Sequence, residues 1–542
     1  MLSYTPTEEA KLPRPTEKPW LLLLLAFVWL WPGVIGRDPW KPDEPYALAI
    51  VQGMLSSGHW LVPTIQGEPY LFVSPLYYWV AALCARWFSP WLLPMHDAAR
   101  LATPFFMLLA LCAAGAAGRE LIGRRHGRSV VIILIGCIGL MTTGHEMAHA
   151  AAGFAAYATA LYALVLGLRS PALAGALLGV ASAMLFLANG VLELALLWSV
   201  LALLPAFSAW RTKGYTITVL MALLVGMPML LVWPLSLYKY NPELLIGWWQ
   251  QQIAGASDTS TVLYSLWDYA KTLLWYAWPA WPLAAWTLFN SRRRYDQPIL
   301  LLPLLFFSVF LLVLILSGVQ ANRYAMPLLL PLSLLAAAEL DSVQRGAAAL
   351  FNWFSTMTFG FFGLLIWFGW AAMNFGWPRQ LAERAEYFSP HYQVRVSTWA
   401  AVFALGATLF WIWALTRRHL RGRQAITNWA AGITLFCGLM GSLWLPWFDA
   451  LKSYRPVVAS MMAHLPAKID CVASDSRHLI TRISWQYYAR LRLSPLEDHR
   501  CSLRLVLRPE GSMPDVGWQE LWRGSRPRED QEIYVLQRYK MS

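Results

Sequence analysis

The sequence predicts a polytopic α-helical membrane protein that carries a small α/β domain at its C-terminal end. Three observations support this. Of the 542 residues 58% are hydrophobic and 13% charged, and the apolar excess lies in long uninterrupted runs. Arg-rich and Arg-poor loops alternate between those runs. Beyond residue 446 the composition turns to that of a soluble domain, dividing the chain into 1–446 and 447–542.

About 13 spans are expected, each near the length that crosses ~30 Å of hydrocarbon. They lie at 19–36, 97–117, 129–143, 149–168, 171–188, 190–208, 215–236, 272–289, 297–318, 325–341, 350–372, 398–416 and 426–446. The 31 Trp and 22 Tyr cluster at the ends of the runs, as aromatic belts do. Lys11, Arg14 and Lys18 precede the first run, and no small-residue cleavage site follows it, so it reads as an uncleaved span.

Charge sets the orientation. Arg119, Arg124, Arg125 and Arg128, then Arg169, Arg211 with Lys213, Arg292 to Arg294, and Arg417, Arg418, Arg421 with Arg423 all fall on the side of the N-terminal tail. That side is expected to be cytoplasmic, with the C-terminal domain outside. The net charge of +13 is thereby assigned to topology, and no nucleic-acid partner is expected.

On the opposite side, residues 37–96 are too polar to span. Two amphipathic helix patterns lie within them: Tyr46, Ile50, Gly53 and Met54 share one face, and Leu76, Trp79, Val80, Leu83 and Trp87 another. Both are expected to lie flat in the membrane interface. The C-terminal segment reads as helix 454–465, strand 468–474, helix 478–491 and strands 501–508, 516–522 and 532–539. Cys112, Cys137 and Cys437 fall inside spans and are expected to be packing residues. Cys471 and Cys501 are the two cysteines of the external domain, and an oxidising compartment would let them pair, stabilising by ~3–4 kcal/mol.

The first external loop opens Arg37-Asp38-Pro39-Trp40-Lys41-Pro42-Asp43-Glu44. Adjacent carboxylates at the mouth of an interfacial helix are costly beside lipid and raise a functional reading for Asp43 and Glu44. Asp43 as a plain helix cap is the alternative.

The segment PWKPDEPYALAIVQGMLSSGHWLVPTIQGEPYLFVSPLYYWVAAL resembles the first periplasmic loop of bacterial polyprenyl-phosphate-dependent glycosyltransferases. That group includes the lipid A aminoarabinose transferases and is related to the protein O-mannosyltransferases. NPELLIGWW, YAKTLLWYAWPAWPLAAW, QANRYAMPLLLPLSLLAA and, in the tail, DCVAS and GWQELWRGSRP extend the likeness over most of the chain. The resemblance implies the C-type glycosyltransferase fold of about 13 spans with a periplasmic C-terminal domain, in the bacterial inner membrane. It implies transfer of a sugar from a polyprenyl-phosphate donor to a lipid, glycan or protein acceptor at the external face. It also implies Asp43 as the catalytic carboxylate, with Glu44 completing the pair, and Arg323 and Tyr324 as residues near the lipid phosphate; Arg37, Lys41, Tyr77 and Glu146 are expected as further substrate-binding residues. Arg suits a phosphate because its fork donates two parallel hydrogen bonds.

The chain also departs from the family pattern. Phe72-Val73-Ser74-Pro75 stands where Glu-Lys-Pro-Pro is common, Asn189 replaces a second Lys, and Ala150 replaces an acidic residue, with Glu146 one turn earlier. A divalent metal cofactor would therefore lack its usual acidic ligand, and a donor or acceptor other than that of the aminoarabinose system is expected. A lipid-sugar-binding paralogue without catalysis is one alternative. His145-Glu146-Met147-Ala148-His149 raises another, a membrane zinc protease, because H-E-x-x-H on a helix sets two His on one face. Glu193, inside an expected span, raises a third, a transporter.

Overall fold

A computed structural model of the chain describes residues 19–254, 262–318, 324–390, 392–394, 396–416, 421–466, 471–475, 478–496, 501–508 and 517–539. Among the described residues seven helices are long and apolar enough to cross a membrane, and shorter apolar helices such as Ala150–Leu166 accompany them. The remaining expected spans are thus met by short or broken helices.

Packing explains several of these. The helix Ala102–Leu121 buries Ala110, Ala114, Ala117 and Gly118, and the helix Ala150–Leu166 packs on it with Ala151, Ala152, Ala155, Ala156 and Ala163. Small side chains let two backbones approach closely, which is how helices associate in lipid. The helices Lys213–Tyr240, Arg345–Phe375 and Thr398–Thr416 instead expose Leu, Phe and Trp side chains, the composition of a lipid-facing surface.

Two expected spans are interrupted where they meet. The run 129–143 divides into His126–Gly136 and Leu140–Thr143, and the run 272–289 divides after Tyr276. The N–H groups of Ile138 and Gly139 donate to the carbonyls of Trp278 and Tyr276, at 3.1 and 2.9 Å. Each break satisfies the other's backbone, the condition for irregular chain at membrane depth. A Cβ at Gly139 would lie 2.4 Å from the Tyr276 ring, so only glycine permits this approach.

The Arg-rich loops gather at one end. Arg423 forks Asp341 at 2.9 Å, Asn290 and Ser291 donate to Glu339, and Arg169 reaches Glu120. Residues 31–100 and the C-terminal domain meet at the other end.

The two loop helices differ from each other. Leu76–Phe88 buries Tyr77, Tyr78, Ala81, Ala82 and Ala85 and turns Leu83 and Trp87 outward, as an interfacial helix would. In Glu44–Ser57 the expected lipid face is turned inward. Ile50 and Met54 are fully buried, and the helix packs on Leu76–Phe88 and on Leu479–Ala489 of the C-terminal domain. The apolar face that lipid was expected to cover is thus met by protein, with Tyr46 stacked on Tyr70 and Gly53 set against Thr64.

The last apolar helix runs from Arg421 through a π-turn at Met440–Trp444 and ends at Lys452. Beyond it stand the helices Arg455–Ala463 and Leu479–Ala489 and the strands β3 (Val472–Ser474), β4 (Ser494–Pro495), β5 (Leu503–Arg508), β6 (Trp518–Gly524) and β7 (Ile533–Tyr539). The first two strands, β1 (Thr64–Ile65) and β2 (Glu68–Pro69), form a separate hairpin in the loop. The C-terminal sheet has the order β4-β3-β5-β7-β6, with β3 parallel to β4 and β5 and the rest antiparallel. Its core holds Trp485, Met461, Val472, Leu503, Leu505, Tyr534 and Leu536. Cys471 and Cys501 are joined by a disulfide at the start of β3 and before β5. Cys137 and Cys437 are buried, whereas Cys112 lies on the outer surface of its helix and does not pack as expected.

Candidate functional site

Chain leaving the first helix turns through Gly33 and Gly36, both in the left-handed region, and enters the loop that builds the site. The Gly36 N–H donates to Asp97 Oδ2 at 2.9 Å, anchoring the turn. Arg37 then folds inward, 5% exposed, and forks the Glu44 carboxylate at 2.5 and 2.7 Å. The same carboxylate accepts from Arg100 Nε at 3.2 Å and from the backbone N–H groups of Trp40 and Met147, each at 3.0 Å. Burial pushes the Glu44 carboxyl up, but the charges of Arg100 and Arg37 outweigh it and hold the group at about 2. Glu44 thus closes a hub joining the first loop, the helix Ala102–Leu121's entry at Arg100, and the segment before Ala150–Leu166.

Asp43 stands next to this hub and differs from it. It occupies the N-cap position of Glu44–Ser57, yet its side chain makes no cap hydrogen bond. It faces a cavity of about 270 Å³ together with Arg37, Lys41, Glu44 and Glu146. Burial, then the Glu44 charge, push the Glu146 carboxyl above its usual range. The opposite wall is apolar, built from Met141, Phe436, Met440, Leu445 and Phe448. The arrangement sets carboxylates and cations beside a hydrocarbon surface, the chemistry an anionic lipid with a polar head requires.

The other expected residues lie around this cavity or apart from it. Tyr77 is fully buried and does not line the cavity; its hydroxyl meets Thr103 at 2.7 Å, and Thr103 donates to the Glu146 carbonyl at 2.8 Å. Tyr324 does not line the cavity and stands near Tyr157 and Tyr269, beside Glu193. Glu193 accepts from Asn189 at 2.6 Å. Arg323 lies outside the described residues.

The zinc reading fails on geometry. His145 and Glu146 lie in a turn, so the motif does not present one helical face. His145 Nδ1 meets the Met141 carbonyl at 3.1 Å and Nε2 the Trp29 carbonyl at 2.6 Å, leaving no ring nitrogen for a metal. No cluster of metal-ligating side chains occurs among the described residues.

Sequence reasoning missed a second network. The Asp38 carboxylate accepts from Ser453 at 2.6 Å and from Nε and Nη2 of Arg455, one edge of its guanidinium. Burial raises the Asp38 carboxyl, but those hydrogen bonds outweigh it and leave the group below its usual range. Asp449 Oδ1 accepts from the Asp38 N–H at 2.8 Å and from Trp40 Nε1 at 3.0 Å. His96 meets Tyr487 at 2.7 Å. One signal was available: the charged run His96-Asp97 to Arg100 opens an otherwise apolar helix. Lys452 and Asp449 gave none, since they sit where composition changes.

Comparison with known proteins bears out the resemblance drawn from the first loop. No family model matches the chain. In sequence it is similar to the undecaprenyl phosphate-alpha-4-amino-4-deoxy-L-arabinose arabinosyl transferase of Pseudomonas paraeruginosa, 32% identical over 359 residues, 61% of this chain and 61% of that protein. It is likewise similar to transferase 1 of that name from Sodalis glossinidius, 30% identical over 341 residues, 59% of this chain and 58% of that protein. The match thus spans about three fifths of the length of these curated relatives. In structure it resembles ArnT from Cupriavidus metallidurans in the apo state, with a TM-score of 0.65 and 15% identity, covering 96% of this chain and 97% of that one. The same protein bound to undecaprenyl phosphate gives a TM-score of 0.63 at 15% identity, with the same coverage. The fold is that of ArnT.

Proposed function

We propose that this chain is an integral-membrane glycosyltransferase that moves a sugar from a polyprenyl-phosphate donor to a lipid A, glycan or protein acceptor. The observation that carries the reading is the cavity itself, where an uncapped Asp43 and a half-buried Glu146 face an apolar wall. The relatives named above are arabinosyl transferases, and the ArnT that shares the fold binds undecaprenyl phosphate.

In this reading an acceptor hydroxyl attacks the anomeric carbon, its proton passing to Asp43. A new C–O bond forms as the bond from the anomeric carbon to the phosphate oxygen breaks. The electron pair leaves with the polyprenyl phosphate, already a good leaving group, so held positive charge matters more than a general acid. Arg37 and Lys41, paired with Glu44 and with Glu532, hold the loop at the rim of the cavity, Glu146 contacts the sugar or acceptor, and Tyr77 steadies Glu146 through Thr103. The resemblance gives Arg323 and Tyr324 a part in substrate binding, and Tyr324 would meet the substrate away from this cavity. Glu44, saturated by its donors, acts by positioning Arg37 and the loop. The membrane is the bacterial inner membrane, with the N-terminus cytoplasmic and the C-terminal domain periplasmic.

The test uses purified protein in lipid and a panel of polyprenyl-phosphate sugars and envelope acceptors. Asp43→Asn should abolish transfer while leaving membrane insertion and thermal stability intact. Near-full activity in this variant would show that Asp43 only marks a helix start. Efficient aminoarabinose transfer by the wild type would refute the expectation of a different donor or acceptor.

A further inference from the structure

Three cations line the cavity among the described residues, and two are already committed. Arg37 is spent on Glu44 through two short hydrogen bonds. Lys41 is turned to the C-terminal domain, 2.6 Å from Glu532 and 3.8 Å from Glu529. Lys452 is the third. No carboxylate lies within ion-pair distance of it among the described residues. Its ammonium rests 4.7 Å over the Trp40 ring and 6.0 Å from the Phe448 ring centre.

Its place is fixed from both sides. Asp449, one turn earlier on the same helix, grips the loop backbone at Asp38 and the indole of Trp40. Ser453, the next residue, and Arg455 hold the Asp38 carboxylate. The Lys452 carbonyl accepts from Arg526 of the C-terminal domain at 3.5 Å. An otherwise long and mobile side chain thus starts from a pinned backbone, beside the apolar wall of Met440, Leu445 and Phe448 and across from Glu146. An ammonium held at the edge of a hydrocarbon surface by aromatic rings, without a protein carboxylate, matches a lipid monophosphate, whose charge and chain are joined at one atom.

We infer that Lys452 is the residue that binds the phosphate of the lipid-linked donor, and that the latch of Asp38, Ser453 and Arg455 positions it. The assignment rests on the proposed glycosyltransferase reading. It places the last membrane helix, and not the first loop alone, in the donor site.

The experiment measures binding of undecaprenyl phosphate, with uncharged undecaprenol as the comparison, to full-length protein in nanodiscs. Lys452→Ala and Lys452→Met should each weaken phosphate binding by about tenfold or more, the weight of a charge-assisted contact, and leave undecaprenol binding unchanged. Lys452→Arg should retain binding within about threefold, and Lys213→Ala, at the far end of the bundle, should match the wild type. Arg455→Ala should weaken phosphate binding in the wild-type background and add nothing in Lys452→Met, which separates positioning through Lys452 from a general loss of fold. Wild-type binding that Lys452→Met leaves unaltered would overturn the assignment alone. A wild type with no preference for phosphate over undecaprenol would overturn the donor reading and the assignment together.

Discussion

Replacing Glu44 by Gln removes one charge, keeps the shape, and should nevertheless be among the most damaging single changes in the loop. The carboxylate accepts two bonds from Arg37, one from Arg100 Nε and one each from the Trp40 and Met147 N–H groups. A carboxamide turns one acceptor oxygen into a donor and aims it at these donors, and it leaves two buried guanidinium groups short of a counter-charge. Breaking a buried, hydrogen-bonded pair from one side costs about 3–5 kcal/mol. The displacement of the Glu44 carboxyl from 4.5 to about 2 leads to the same place, about 3 kcal/mol at neutral pH. Because the folded value lies below the unfolded one, this stabilisation is full above pH 4.5 and lost as pH falls toward 2. The assay is equilibrium unfolding of wild type, Glu44→Gln and Asp43→Asn in one lipid system over a pH series. Glu44→Gln should lose about 3 kcal/mol at pH 7, with the gap to wild type narrowing in acid, and Asp43→Asn should lose less than about 0.5 kcal/mol. A Glu44→Gln protein within about 1 kcal/mol of wild type at pH 7 would refute the hub, and Glu44 would then be free for chemistry.

Neither a zinc chelator nor His149→Ala should remove activity, whereas Glu146→Gln should reduce it; abolition by chelator would reinstate metal chemistry. A reporter fused after Ser542 should be active only in the periplasm and one inserted at Arg293 only in the cytoplasm, and the reverse pattern would overturn the orientation with the catalytic reading. Non-reducing peptide mapping of protein from the envelope should recover Cys471 linked to Cys501; two free thiols there would show an unbridged domain.

Much of this was present in the residues themselves. Membrane segments are written in long apolar runs because hydrocarbon admits little else. The grouping of loops follows from Arg placement, and the observed contacts of Arg423 with Asp341 and of Arg169 with Glu120 join loops that the charge pattern had assigned to one side. The two helices and the strands β5, β6 and β7 of the C-terminal domain were legible from periodicity within a few residues, β4 was not, and Asp43 was legible as the acidic residue at the start of a loop helix.

Partnership was not legible, because it is settled by contacts between residues far apart in the chain. Asp43 and Glu44 are neighbours with the same chemistry, yet one is exposed and makes no cap hydrogen bond while the other is buried under Arg37 and Arg100. That difference arises because Arg100, 56 residues away, reaches Glu44 when the two helices pack. The burial of Ile50 and Met54 likewise required tertiary packing, in which Leu76–Phe88 and, from the far end of the sequence, Leu479–Ala489 pack on their helix. Lys452 became part of the cavity because the last helix continues past the end of its apolar run and Arg455 grips Asp38, 417 residues upstream. Local pattern records which surfaces must leave water, since each residue's transfer energy is its own. Which charge meets which is a property of pairs, and tertiary packing alone brings those pairs together.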